Sequence, residues 1–163
     1  MSLTSLAAHA QETPGCNEWQ AVFVLVDGNV TIRNGATVAW APAVQGSVVC
    51  MGYSVRVDAF GHAALQLPDQ TLLHLSRNTT LTFDEPDEDV GSLVELVQGL
   101  IHIISRDPRA LKFTTPYANA GLEGTEFLIA VEDERTRIDV IEGEVVVTNS
   151  AGEIAVPAGQ RAV

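Results

Sequence analysis

The sequence predicts an all-β fold, and three observations carry that reading. Residues 126–131 and 136–147 alternate apolar and polar side chains with a period of two, and glycine-rich punctuation flanks both runs. Thirteen glycines and seven prolines are scattered through a chain that is 46% hydrophobic, which fits strands joined by many turns. The one segment open to reading as a helix, residues 92–105, has Gly99 at its centre and a β-branched second half. The expected architecture is a rolled or solenoid-like arrangement of about a dozen short strands, with a two-sheet β-sandwich as the alternative. Both produce the same alternation.

The elements follow in order. Phe23-Val-Leu-Val-Asp-Gly-Asn-Val-Thr-Ile-Arg33 reads as a strand, a glycine turn and a second strand, and Trp40 sits in a linking stretch before Pro42. Residues 48–57 alternate imperfectly around Gly52. Three short runs follow at 63–67, 73–75 and 81–83, separated by Pro68-Asp69 and Arg77-Asn78. Each alternates, so each has one buried and one wet face. Residues 92–105 make two strands or one bulged strand. Lys112-Phe113, the two long alternating runs and 154–156 complete the set. Val26-Asp-Gly-Asn-Val, Val97-Gln-Gly-Leu-Ile and Ile141-Glu-Gly-Glu-Val share one pattern at unequal spacing. Glycine there lets a strand kink while its apolar neighbours stay on the inner face, as a rolled sheet requires.

Composition excludes several functions. At 163 residues the chain is long enough to bury a core without metal, and 18% charged residues argue against disorder. Nine Lys and Arg against 21 Asp and Glu leave a net charge of -12, which repels phosphate backbones and anionic head groups. Neither nucleic acid nor direct membrane insertion is expected, and no apolar run approaches the roughly 18 residues of a spanning helix. Ala8-His-Ala10 has the form of a signal-peptidase site. Residues 1–15 read as an export-signal remnant or a disordered leader, and 16–163 as the folded domain. Two cysteines, Cys16 and Cys50, suggest a disulfide in an exported chain; two buried free thiols are the alternative.

Several words of the sequence carry a resemblance. Thr115-Pro116 precedes Gly121-Leu-Glu-Gly-Thr-Glu-Phe127; Glu142-Gly-Glu-Val-Val-Val147 and Ala158-Gly-Gln160 follow. Together with Gly28-x-Val30 and the pair of runs at 63–75, they resemble the FecR-like periplasmic domain over about residues 20–163. The cysteine placement is similar to a secreted subgroup that often continues into tetratricopeptide repeats. The resemblance implies a noncatalytic signalling or binding module, periplasmic or secreted, with a protein partner in the envelope or in the remainder of a longer parent chain. It implies no cofactor. The family usually has Asp-Gly-Ser where this chain has Asp69-Gln-Thr71. Glutamine resists positive φ, so a different turn type is expected there.

The candidate sites have plainer readings. Gly121, Gly124, Thr125, Glu126, Phe127 and Gly143 read as structural: the glycines allow tight backbone and Phe127 fills the core. Strict alternation places Glu123 and Glu126 on opposite faces, which argues against a paired acid and base. The acidic run Asp84-Glu-Pro-Asp-Glu-Asp89 lacks a calcium-loop pattern and reads as a solvated loop. His62, His74 and His102 fall on separate strands without metal-ligand spacing, and the last two alternate with apolar residues, placing them on a wet face. The leading functional expectation is protein–protein contact or signal sensing through exposed sheet edges. The alternative is a cell-wall or polysaccharide ligand, with Trp19, Trp40, Tyr53 and Tyr117 as stacking platforms.

Overall fold

The computed structural model describes residues 16, 18–35, 38–85, 92–106 and 111–163. Expectations for the leader 1–15 and for most of the acidic run at 84–89 lie outside these residues. The described chain forms strands throughout: β1 (Trp19–Asp27), β2 (Val30–Asn34), β3 (Ala41–Pro42), β4 (Val48–Cys50), β5 (Tyr53–Val57), β6 (His62–Gln66) and β7 (Leu72–Leu75). Then come β8 (Thr79–Asp84), β9 (Ser92–Ile104), β10 (Leu111–Thr114), β11 (Asn119–Glu132), β12 (Arg135–Asn149), β13 (Gly152–Pro157) and β14 (Arg161–Ala162). Residues 92–105 are therefore one strand bent at its glycine, not a helix.

Pairing divides these strands into two layers. The first runs β4-β1-β6-β7 and continues through the second half of β9 to the halves of β11 and β12 around residues 126–142, with β14 at its end. The second runs β3-β2-β5-β8, then the first half of β9, β10, the first half of β11, the second half of β12, and β13. The three longest strands thus belong to both layers. The structure merges the two architectures the sequence left open: one sheet, rolled until its halves face each other.

Alternation decides what lies between the layers. Phe23, Leu65, Leu73, Ile101, Ile103, Phe127 and Ile129 point inward from the first, and Val55, Leu81, Phe83, Val94, Leu96 and Phe113 from the second; none is more than 1% exposed. Phe113 and Phe127 meet edge to face across the gap, with ring centroids 6.0 Å apart. Such a pair adds about 0.5–1.5 kcal/mol to the burial of its area. Thr115 Oγ1 and Thr136 Oγ1 make a second cross-layer contact at 2.6 Å.

Six changes of layer coincide with positive φ, at Gly28, Gly52, Asn78, Gly99, Gly143 and Gly159. The three Gly-centred echoes in the sequence are three of these crossings. Along one corner the crossings are laced together: Asp58 N–H donates to Asn29 O at 3.2 Å, Asn78 N–H to Asp58 O at 3.1 Å, and Ser76 N–H to Leu100 O at 3.1 Å. Thr79, fully buried, both accepts from Leu100 N–H (3.1 Å) and donates to Leu100 O (3.2 Å). A Cβ added to Gly99 would lie 2.5 Å from Thr79 Cα and 2.7 Å from Asn78 O. Only glycine fits that corner.

The β6–β7 hairpin corrects one expectation. Gln70 does adopt positive φ, at 69°. Its N–H donates to Leu67 O at 2.9 Å, closing a turn led by Pro68, and Asp69 Oδ1 accepts from Thr71 N–H at 3.0 Å. These bonds and the fixed φ of Pro68 hold glutamine in a conformation it does not favour. At the first end of the stack a Cys16–Cys50 disulfide ties the N-terminal segment to β4, with Cα atoms 5.9 Å apart.

Candidate functional site

The most distinctive sequence segment lies at the opposite corner. Between the pairs Glu123↔Glu144 and Glu126↔Glu142, two residues of β11, Gly124 and Thr125, face one residue of β12, Gly143. One step later Ile141 is the extra residue on β12. Two offset bulges therefore bend both long strands together and swing them from one layer to the other. Thr125 is buried, its carbonyl accepts from Ser105 N–H at 2.8 Å, and its Oγ1 has no hydrogen-bond partner. Phe127 is fully buried. Gly121 differs from the expectation of a glycine-only backbone: a Cβ there meets nothing within 4 Å.

The bulges interrupt strict alternation along β11 and β12. The Glu126 side chain lies 2.9 Å from His102 Nε2 on the outer face of the first layer. His74 is the direct cross-strand neighbour of His102, with ring centroids 5.8 Å apart. The fold thus gathers two of the three histidines of the described residues beside a motif glutamate, a register that sequence spacing does not encode. His62 stands elsewhere, 3.4 Å from Asp27. Among the described residues no group of three or more His, Cys, Asp or Glu is arranged to hold a metal ion.

The last end of the stack is open. Val145, Val147 and Val156 are buried on the inner face of β12 and β13, but Ile154, the cross-strand partner of Val147, is 59% exposed. Opposite it, β14 covers only Ile138 and Asp139 of β12. Between the layers this leaves a cleft of about 410 Å³ whose apolar wall includes Tyr117, Ile138, Val147, Ile154, Ala162 and Val163. Val163 is 75% exposed and Tyr117 43%. Among the described residues strand β13 pairs with β12 on one side alone, so its other edge presents N–H and C=O groups that no described strand takes up. Alternation in the sequence marks Ile154 as inward-facing; that nothing covers it is visible only in the fold.

Of the four aromatic residues considered as platforms, Tyr53 is buried, Trp40 half-buried, and Trp19 and Tyr117 exposed. Burial raises the Asp84 carboxyl above its usual range. No helix among the described residues is long and apolar enough to cross a membrane.

Comparison with known proteins agrees with this architecture. Two crystal structures of a protein from Parabacteroides distasonis ATCC 8503, described as a "putative anti-sigma factor", are similar in fold, each with a TM-score of 0.59 at 23% identity. Each alignment covers 66% of this chain and 52% of that one, so this chain spans about half that protein's length. No curated protein matches. The model of the family described as FecR protein matches residues 53–146, from the first residue of β5 into the second half of β12. That is narrower than the stretch expected from sequence words, and it includes β9, β11 and the bulged part of β12. With more than half of its length matched, the chain belongs to the FecR family.

Proposed function

We propose that residues 16–163 form a noncatalytic FecR-type module of the bacterial envelope that senses or transmits a signal by docking a protein partner at the open end of the stack. The partner contributes an extended segment that pairs with the free edge of β13 and places an apolar side chain over Ile154. The observation that carries this reading is the uncovered inner face at Ile154, beside an unpaired strand edge and a cleft of about 410 Å³. Strand addition suits such an edge, since main-chain bonds give affinity and alternate side chains give specificity. Membership in the FecR family and the fold shared with a protein described as an anti-sigma factor support a signalling role. The Cys16–Cys50 disulfide supports an oxidising compartment, periplasmic or extracellular.

The test compares capture from a bacterial envelope extract by the wild-type domain and by Ile154→Lys, with far-UV circular dichroism as a fold control. A partner retained by the wild type and lost by the variant is expected, with β13 amides protected from hydrogen exchange in the purified complex. Equal capture by both proteins, or capture of nothing, would refute the reading.

A further inference from the structure

A second surface carries its own signature, independent of the β13 edge. On the outer face of the second layer, Thr31 and Arg33 of β2 stand beside Arg56 and Ser54 of β5, and Thr80 and Thr82 of β8 continue those rows. Trp40, just before β3, lies against this face. The Arg33 guanidinium carbon sits 4.4 Å from the indole centroid and that of Arg56 4.2 Å. In a chain with only nine Lys and Arg and a net charge of -12, two cations share one ring. Neither forms an ion pair among the described residues, and Arg33 Nε is buried without a hydrogen-bond partner. The carboxylate in the Arg33 row, Glu95, is three strands away. At about 4.8 Å per strand that is on the order of 14 Å, out of contact.

Each cation–π contact offsets part of the repulsion between the two guanidinium groups. An uncompensated pair of like charges beside an orphaned donor nevertheless calls for an anion. Guanidinium groups match a carboxylate in shape and can bind it through two parallel hydrogen bonds. Around them lie hydroxyls already ordered for exchange with others: Ser54 Oγ and Thr82 Oγ1 are 2.9 Å apart. The face is an open sheet surface, set with a half-buried indole and hydroxyls. That combination suits a sugar ring better than a peptide, whose side chains need apolar pockets. We propose that this face binds a carbohydrate bearing a single carboxylate, with Arg33 and Arg56 holding the carboxylate, Trp40 meeting the ring, and the Thr and Ser row meeting its hydroxyls. One charge suits an acidic protein: repulsion from distant carboxylates is screened beyond about 8 Å at physiological ionic strength, whereas a direct contact is not.

The chain has two tryptophans, so Trp19→Phe leaves Trp40 as the sole indole reporter. Its fluorescence is followed while the protein is titrated with cellobiouronic acid, with neutral cellobiose, and with a blocked dipeptide carrying one glutamate. A saturable change with the uronic disaccharide is expected, at least about tenfold weaker for both controls and for Arg56→Gln, the loss of one charged hydrogen bond. Arg56 is exposed, so that variant keeps the fold; half-buried Arg33→Gln is checked by thermal melting and is expected to bind as weakly. Equal binding of the dipeptide overturns the carbohydrate assignment. Equal binding of cellobiose or by Arg56→Gln overturns the carboxylate assignment, and no saturable change overturns the site.

Discussion

Replacing Gly99 by alanine tests the layered fold at its tightest corner. The glycine has φ +102°, and an added Cβ would stand 2.4 Å from Thr79 Oγ1, 2.5 Å from Thr79 Cα and 2.7 Å from Asn78 O. A non-glycine residue in such backbone costs on the order of 1–3 kcal/mol. The overlap is with backbone atoms of the neighbouring crossing, so it cannot be relieved by turning a side chain. Forcing extra volume into packed structure adds about 1–3 kcal/mol. The expected loss is therefore roughly 2–6 kcal/mol, or a fall in Tm of about 4–24 °C for a domain of this size. Two further glycines calibrate the result. Gly159 has φ +83° with open space around it, and its alanine variant is expected to lose about 1–2 kcal/mol from backbone alone. Gly121 has open space and no positive φ, so Gly121→Ala is expected within about 0.5 kcal/mol of wild type. Urea unfolding followed by circular dichroism gives all three values. A Gly99→Ala protein within about 1 kcal/mol of wild type, or a Gly121→Ala protein as unstable as Gly99→Ala, would refute the reasoning.

Three other outcomes are expected. The double variant Cys16→Ser, Cys50→Ser opens a loop of 34-residue separation and should lose about 3–4 kcal/mol in non-reducing urea melts, a loss that reduced wild type should match. Phe127→Ala removes a fully buried ring and its edge contact with Phe113, at a cost of about 3–5 kcal/mol by the same assay. The folded protein holds the Asp84 proton more tightly than the unfolded chain, because burial disfavours the carboxylate. Its contribution to stability is present below the unfolded value of 3.8 and is lost as pH rises through the raised value. Asp84→Asn should therefore melt higher than wild type at pH 7 and lose that advantage as pH falls below 3.8; an advantage unchanged with pH would reject this account.

Much of the candidate machinery was only half legible. Ile154 announced its inward direction through alternation, and Trp40 announced an aromatic near a turn. Neither the missing neighbour over Ile154 nor the meeting of Arg33 and Arg56 on Trp40 follows from spacing along the chain. Both depend on strand register and on where the stack stops. The bulges at Gly124–Thr125 and Ile141 show the same limit. Each shifts the side-chain phase by one residue, so a strict period of two carried along β11 fails beyond Gly124–Thr125.

By itself, the sequence determined that this protein is built of strands, which residues face inward between the bulges, and three glycines at which the chain turns, Gly28, Gly99 and Gly143. These are local properties: a period of two, a positive φ, a β-branched run. Tertiary structure alone decided that the crossings stack into two corners, that His74 and His102 become neighbours beside Glu126, and that one end is tied by a disulfide while the other stays open. Those outcomes arise from pairing between residues far apart in the chain. A one-residue change of register would redirect every side chain of a strand, so the sites on these faces exist only once the strands that carry them are paired in register.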